Sequence, residues 1–302
     1  MNGNELDVRY RTETRRALWI ALVYIIVFQL VAGLLCELMG IKDPSASGLP
    51  YFVAVFFGLV LIWAATSKKD MHAILHRKTP NPTVRMFLGW VAIMLLVQMF
   101  SGLWDTIVEN LVNVFGYSAT SQVANASVSN KESLSIIIYT CIVAPLAEEF
   151  VFRGYLLHYF GKYSKKLGIV VTAVMFGVYH MNIVQTPYAF VLGLLLGYVA
   201  SEYGLKWSFA LHFTNNAIIG ELLQLVVRHL PRNIGGPLSG MIVIVGAIAG
   251  LYLLFRYRKQ IEAWIQNHTI PFNYLRWGLI NVPAVLSYLL CIVAALTALD
   301  KR

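Results

Sequence analysis

Apolar residues run along this chain in blocks of about twenty, divided by short polar stretches that hold most of the Lys and Arg. At a rise of 1.5 Å per residue, a helical block of that length crosses a hydrocarbon layer about 30 Å thick. The pattern predicts membrane-spanning helices at about 17–38, 51–67, 85–104, 134–160, 167–182, 187–203, 206–228, 239–257 and 277–298. The fourth is long and interrupted by polar residues, and the fifth and sixth are short enough to tilt or re-enter. Between the third and fourth, "DTIVENLVNVFGY" carries apolar residues at helical spacing (Ile107, Val108, Leu111, Val112, Phe115) and reads as a helix lying at the membrane surface. The polar run "SATSQVANASVSNKES" after it reads as a loop, with a gate over a cleft as the sharper alternative. The expected fold is therefore all-α: one polytopic bundle of eight or nine spans over residues 1–302, without internal repeats.

Composition supports that class. Of 302 residues, 58% are hydrophobic and 13% charged, about half the charged share of a soluble domain. A net charge of +9 would suggest nucleic acid in a soluble chain. Here the cations sit in loops, so they report topology and no nucleic-acid partner is expected. With the N-terminus inside, the inner segments hold Arg9, Arg11, Arg15, Arg16, Lys68, Lys69, Arg77, Lys78, Arg85, Lys162, Lys165, Lys166, Lys206, Arg256, Arg258, Lys259 and Arg276. The outer ones hold Lys42, Lys131, Arg228, Arg232, Lys301 and Arg302. That asymmetry places the N-terminus in the cytoplasm, and the short loops suggest a bacterial cytoplasmic membrane. The basic N-terminal stretch leads into an apolar block long enough to stay in the bilayer rather than be cleaved as a signal. Cys36, Cys141 and Cys291 all fall in apolar blocks and read as buried small residues, not disulfide or metal partners.

Against this background, ionisable residues at membrane depth stand out. Each costs about 2.5–3.5 kcal/mol even on a lenient insertion scale. They concentrate in three spans: Glu148, Glu149 and Arg153 in "APLAEEFVFRG", His180 in "FGVYH", and His212 in "LHFTNN", where the polar amides Asn215 and Asn216 accompany it. Counted from the inner ends, Glu148 and His180 lie about 18 Å deep and His212 and Asn216 about 9–15 Å. Glu149 and Arg153, four apart, share a helix face and can pair. Glu148 lies about 100° away and needs another partner. His212 and Asn216 share a face, Asn215 lies beside it, and Phe176 is placed to wall a cavity next to His180. A carboxylate with two imidazoles and an amide can deprotonate a water and stabilise an oxyanion. Two His and a Glu are equally a zinc set with an open position. Both routes hydrolyse a peptide bond without a Ser or Cys nucleophile. Glu37, Glu202, Glu221 and His158 are read as outside the site.

In this order, "EEFVFR", "FGVYH" and "HFTNN" resemble the Glu-Glu-x-x-x-Arg, Phe-x-x-x-His and His-x-x-x-Asn motifs of the CAAX protease and bacteriocin-processing (CPBP, or Abi) family, which includes the type II CAAX prenyl endopeptidases. The resemblance covers about 134–220, and no motif residue is missing. It implies an intramembrane endopeptidase, acting on a peptide or membrane protein in peptide maturation or bacteriocin self-immunity. Glu148 would activate water, with His180 assisting at the water or a metal. His212 and Asn216 would stabilise the oxyanion, while Glu149 and Arg153, with Phe176 and Asn215, would support them. Zinc at Glu148, His180 and His212 (a metalloprotease) and a metal-free glutamate mechanism both remain open. Two other classes compete: a non-catalytic membrane scaffold or immunity protein keeping the protease fold, and a transporter or proton relay using the same buried groups.

Overall fold

The computed structural model describes residues 3–120, 122 and 133–301. Besides a short 3-10 helix at Pro44–Ala46, their helices are α1 Gly3–Leu38, α2 Leu49–Ala65, α3 Lys68–Leu75, α4 Val84–Val114, α5 Leu134–Gly161, α6 Lys165–Tyr179, α7 Gln185–Tyr203, α8 at 205–229, α9 Arg232–Arg256, α10 Arg258–Asn267, α11 Phe272–Leu279 and α12 Val282–Thr297. Two-residue strands β1 (Tyr117–Ser118) and β2 (Asp300–Lys301) pair antiparallel, Tyr117 opposite Lys301 and Ser118 opposite Asp300. The described residues are thus all-α apart from this ladder. Among the described residues, α1, α4, α5 and α9 are long and apolar enough to cross a membrane, and α11 with α12 makes a fifth candidate if that bent pair is one span.

The boundaries show what stops each helix. α1 starts far before residue 17, because nothing in the basic N-terminal stretch breaks a helix. Tyr10 is buried there, stacking on Tyr274 and donating its hydroxyl to the Tyr274 carbonyl at 2.6 Å. The predicted surface helix at 105–115 is a correction: Asp105–Val114 continue α4 without interruption. No proline intervenes, and termination waits for Gly116, whose φ of +78° takes the left-handed conformation that ends helices. Of the loop that follows, residues 121 and 123–132 lie outside the described residues, and so does the gate expected there. The ninth predicted block is broken by 52° between α11 and α12. There the Asn281 side chain accepts from the Ala284 N–H, and Pro283 follows, both signals of a fresh helix start.

Close packing centres on α5, α6 and α7, whose core is rich in aromatic rings (Phe152, Tyr155, Phe160, Phe176). A side chain at Gly193 of α7 would bring Cβ to 3.1 Å from Ala173 Cα of α6, so the two backbones approach where larger residues would hold them apart. α6 has 15 residues, about 22 Å, so its far end stops inside the bundle. This brings the α6–α7 turn, and with it His180, to the depth of the middle of α5.

Contacts between loops sort the bundle into two ends. At one end Arg16 reaches the Ala65 carbonyl at 3.2 Å, Arg77 that of Ser201 at 2.7 Å, and Lys206 bonds Asn81 at 2.7 Å. Lys165 pairs with Glu202 at 2.9 Å, and Lys166 reaches the Ile265 carbonyl at 3.4 Å. At the other end Gly48 donates to Ser135, Gln122 to the Ala295 carbonyl, and β1 meets β2. The cations assigned to inner loops thus gather at one end. Cysteine labelling in intact cells should show this: with the three native cysteines replaced by serine, Lys69→Cys and Lys259→Cys react from one side and Tyr117→Cys from the other. Labelling of all three from the same side would contradict the arrangement.

α3 docks on the end of α5 through Asp70, which accepts from the His158 ring at 2.9 Å, Lys162 at 3.2 Å and the Ser67 hydroxyl at 2.8 Å. Burial opposes its charge, but these hydrogen bonds outweigh it and hold the carboxyl well below its ordinary value. A depressed carboxylate stabilises the fold above its unfolded pKa of about 4 and loses that contribution as the pH falls toward the folded value. In thermal unfolding in detergent, Asp70→Asn should therefore lower the Tm at pH 7, with the gap to wild type closing as the pH drops below about 4.

Candidate active site

Three helices, α5, α6 and α8, carry the motif residues, and two of them are interrupted by π-helical turns. α5 widens at Tyr139–Val143 and again at Glu149–Leu156, and α8 widens at Thr214–Leu222. Such turns replace i→i+4 hydrogen bonds by i→i+5 bonds, which re-aims side chains and recurs at functional sites. The second one starts at Glu149.

Glu149 is fully buried (0% exposed). Its Oε1 lies 3.1 Å from Arg153 Nη1 and accepts a hydrogen bond from His212 Nδ1 at 3.0 Å. Its Oε2 faces the Ser208 hydroxyl. That hydroxyl also lies 3.0 Å from the Leu196 carbonyl, so its single hydrogen serves one of two acceptors. Arg153 is placed as an ion-pair partner rather than an aligned donor to Glu149. Its guanidinium lies over the Phe176 ring, Cζ 4.0 Å from the centroid, and Nη2 reaches the Gly193 carbonyl at 3.5 Å.

With Nδ1–H committed to Glu149, neutral His212 carries a lone pair on Nε2. That atom lies 3.7 Å from Glu148 Oε2. The two adjacent glutamates, which point about 100° apart on an ideal helix, therefore meet opposite nitrogens of one imidazole. The His180 ring is fixed through the same nitrogen: Nδ1 donates to the Phe176 carbonyl at 2.8 Å, which leaves the lone pair on Nε2. Phe176 sits between the two histidines, edge-on to His180 at 4.8 Å and to His212 at 5.8 Å. Glu148 is the more open carboxylate, its side chain 17% exposed against 1% for Glu149.

The backbone reverses directly after His180. Met181 has φ +50°, a left-handed conformation that a side chain resists. Asn182 completes the reversal, its Oδ1 accepting from the Val184 and Gln185 N–H groups at the start of α7. The turn is covered by Gln122, whose Oε1 accepts from the Ile183 N–H at 3.0 Å and whose carbonyl accepts from Asn182. This local strain is what presents His180 toward the centre of α5.

The amide pair has a different environment. Asn216 donates to the Thr140 carbonyl at 2.9 Å, inside the first π turn of α5, and accepts from Asn215 at 2.9 Å. Asn215 in turn accepts from the Tyr188 hydroxyl at 2.6 Å. Asn216 thus fastens α8 to α5 and has one remaining amide hydrogen to offer. Ser208, Asn182, Tyr188 and Thr140 contact or position the motif residues, and sequence reasoning missed them. Ser208 had a signal, since Ser208, His212 and Asn216 recur every fourth residue of α8 on one stripe. Asn182 and Thr140 act through a backbone turn and a carbonyl, and Tyr188 meets Asn215 from another helix, so none leaves such a mark.

Glu148, His180 and His212 are donor types that suit zinc. Among the described residues, however, no three His, Cys, Asp or Glu side chains come together as a ligand set. His158 pairs with Asp70 and Glu202 with Lys165, away from this cluster. The three cysteines are free.

Residues 130–218 match the family model described as Type II CAAX prenyl endopeptidase Rce1-like, in agreement with the CPBP resemblance carried by the three motifs. The match takes in all three motifs and less than a third of the chain. No curated protein and no solved structure matches.

The buried pair makes a stability prediction. Removing one partner of a buried ion pair strands the other and costs about 3–5 kcal/mol. Glu149→Gln and Arg153→Met should each cause a loss of that order in reversible unfolding in mixed micelles. The double variant should lose clearly less than the sum, and simple additivity would show that the two are not coupled.

Proposed function

We propose that this protein is an intramembrane endopeptidase that hydrolyses a bond in a peptide or membrane-protein substrate, with Glu148 as the base that activates water. The observation that carries the reading is the 3.7 Å separation of Glu148 Oε2 and His212 Nε2. It is too long for a direct hydrogen bond. A water about 2.8 Å from each atom would sit off the line between them, its oxygen free to face a substrate. The family match over 130–218 gives independent support for a protease.

Glu148 takes a proton from the water as its oxygen attacks the scissile carbonyl carbon. It then returns that proton to the departing amine. Glu149 fixes the His212 ring so that Nε2 and not Nδ1 faces the water. The Phe176 carbonyl fixes His180 in the same sense, with Nε2 turned out to assist at the same oxygen. The remaining Asn216 amide hydrogen is the neutral donor available to a developing oxyanion. Arg153 and Ser208 hold Glu149, and Phe176 keeps the rings apart and excludes water from the protein side. Bound zinc would supply Lewis-acid polarisation of the water. The chain's own residues bind, orient and transfer the proton without drawing on it. The span count of eight or nine belongs to the same proposal, with the basic end in the cytoplasm of a bacterial cell, as does a role in peptide maturation or bacteriocin self-immunity.

Purified protein in liposomes, given a quenched fluorescent peptide library with prenylated and unprenylated tails, tests the reading. Wild type should cleave, and Glu148→Gln should fall by at least about 10²-fold, the lower range for a positioned acid–base group, with an unchanged Tm. Cleavage retained in Glu148→Gln would remove Glu148 from the mechanism. Zinc counted by elemental analysis, with activity lost to a chelator and restored by zinc, would move the mechanism to a metal. A cellular phenotype that survives both Glu148→Gln and His180→Ala would favour the scaffold reading.

A further inference from the structure

We propose that the basic end of the bundle carries a built site for one anionic phospholipid, in a cleft walled by α1, α2 and the start of α12 and separate from the catalytic cluster. The cleft has a volume of about 650 Å³ and is lined by Thr12, Arg15, Arg16, Trp19, Ile20, Ala65 and Val282. Pockets of about 300–1,000 Å³ hold small ligands. Its chemistry is divided along α1. Thr12, Arg15 and Arg16 form one rim, a turn earlier in the chain than Trp19 and Ile20, which with Ala65 and Val282 form an apolar wall.

No lining residue is acidic, so two arginines face the cleft without internal compensation. Arg15 has no hydrogen-bond or ion-pair partner among the described residues. Arg16 donates one N–H to the Ala65 carbonyl at the end of α2, which holds the side chain in place and leaves most of its five donors unused. A planar guanidinium pair matches phosphate oxygens with two-pronged geometry. Trp19, 40% exposed, lies one turn deeper, where an amphipathic ring suits the boundary between headgroup and acyl chain. Val282 of α12, an exposed apolar side chain, leaves that wall open to the surroundings of the bundle. A ligand filling the whole cleft needs a phosphate at the rim and an alkyl chain below it, and a lipid headgroup meets both demands where free phosphate meets one. Basic pockets between membrane helices at the cytoplasmic end suit anionic lipids in this way.

The test is native mass spectrometry of full-length protein released from phosphatidylcholine vesicles with and without phosphatidylglycerol. Wild type should retain one phosphatidylglycerol in preference to phosphatidylcholine, and its Tm in detergent should rise when phosphatidylglycerol is added. In the Arg15→Gln/Arg16→Gln variant the retained lipid should fall at least fivefold and the Tm rise should vanish. Arg258→Gln/Lys259→Gln, which removes equal charge elsewhere on the same end, should behave as wild type, and far-ultraviolet circular dichroism checks that each variant is folded. Equal retention in wild type and the Arg15/Arg16 variant would overturn the site. So would equal loss in both double variants, which indicates net charge alone, or a Tm rise with inorganic phosphate as large as with lipid, which indicates no place for an acyl chain.

Discussion

Glu149 carries a carboxylate in a position with no access to water, and the central architecture follows from the need to compensate it. An isolated charge in a low-dielectric interior is strongly disfavoured, so it persists only where opposite charge and hydrogen bonds surround it. Arg153 answers from the next turn of α5, and His212 and Ser208 answer from α8. Phe176 of α6 lies under the Arg153 guanidinium and between the two histidines. One buried carboxylate therefore sets the relative register of three helices. It also determines which nitrogen of His212 faces Glu148, because the Nδ1–H it accepts leaves Nε2 on that side.

Two local departures from ideal helix geometry make this possible. The π turn that begins at Glu149 separates the duties of two neighbouring glutamates, the first left open and the second enclosed. The left-handed Met181 ends α6 in the middle of the bundle rather than at its surface, and Asn182 and Gln122 hold the turn that results. Each departure has a cost in hydrogen bonding or backbone strain, and each is held by partners from another part of the chain. Asn216 follows the same logic, with its amide occupying a carbonyl in the other π turn of α5.

Away from this cluster the basic end is organised by weaker and more exposed interactions: Asp70 with His158 and Lys162, Glu202 with Lys165, and arginines on backbone carbonyls. Individually such pairs contribute little. Collectively they fasten the ends of α1, α3, α5, α6 and α7 and leave cations over for the membrane surface. The division between a charged end and a buried polar centre is the division between topology and chemistry in this molecule.

Much of this was legible from the residues alone. Block length and the rarity of charge within blocks require membrane helices, because an unpaired polar backbone cannot lie in hydrocarbon. The outlying polar residues drew attention to Glu148, Glu149, Arg153, His180, His212 and Asn216, and four-residue spacing paired Glu149 with Arg153. What spacing could not supply was any contact that depends on helices crossing. That Glu148 and Glu149 converge on one imidazole, that Asn216 is spent partly on a backbone carbonyl, and that α4 runs on past residue 104 were decided by π turns, a glycine stop and neighbouring helices. A helical wheel assumes constant rotation per residue and an isolated helix. In this bundle the rotation changes at the residues that matter, and the partner that selects each side chain's direction lies on another segment, so only the folded chain determines the site.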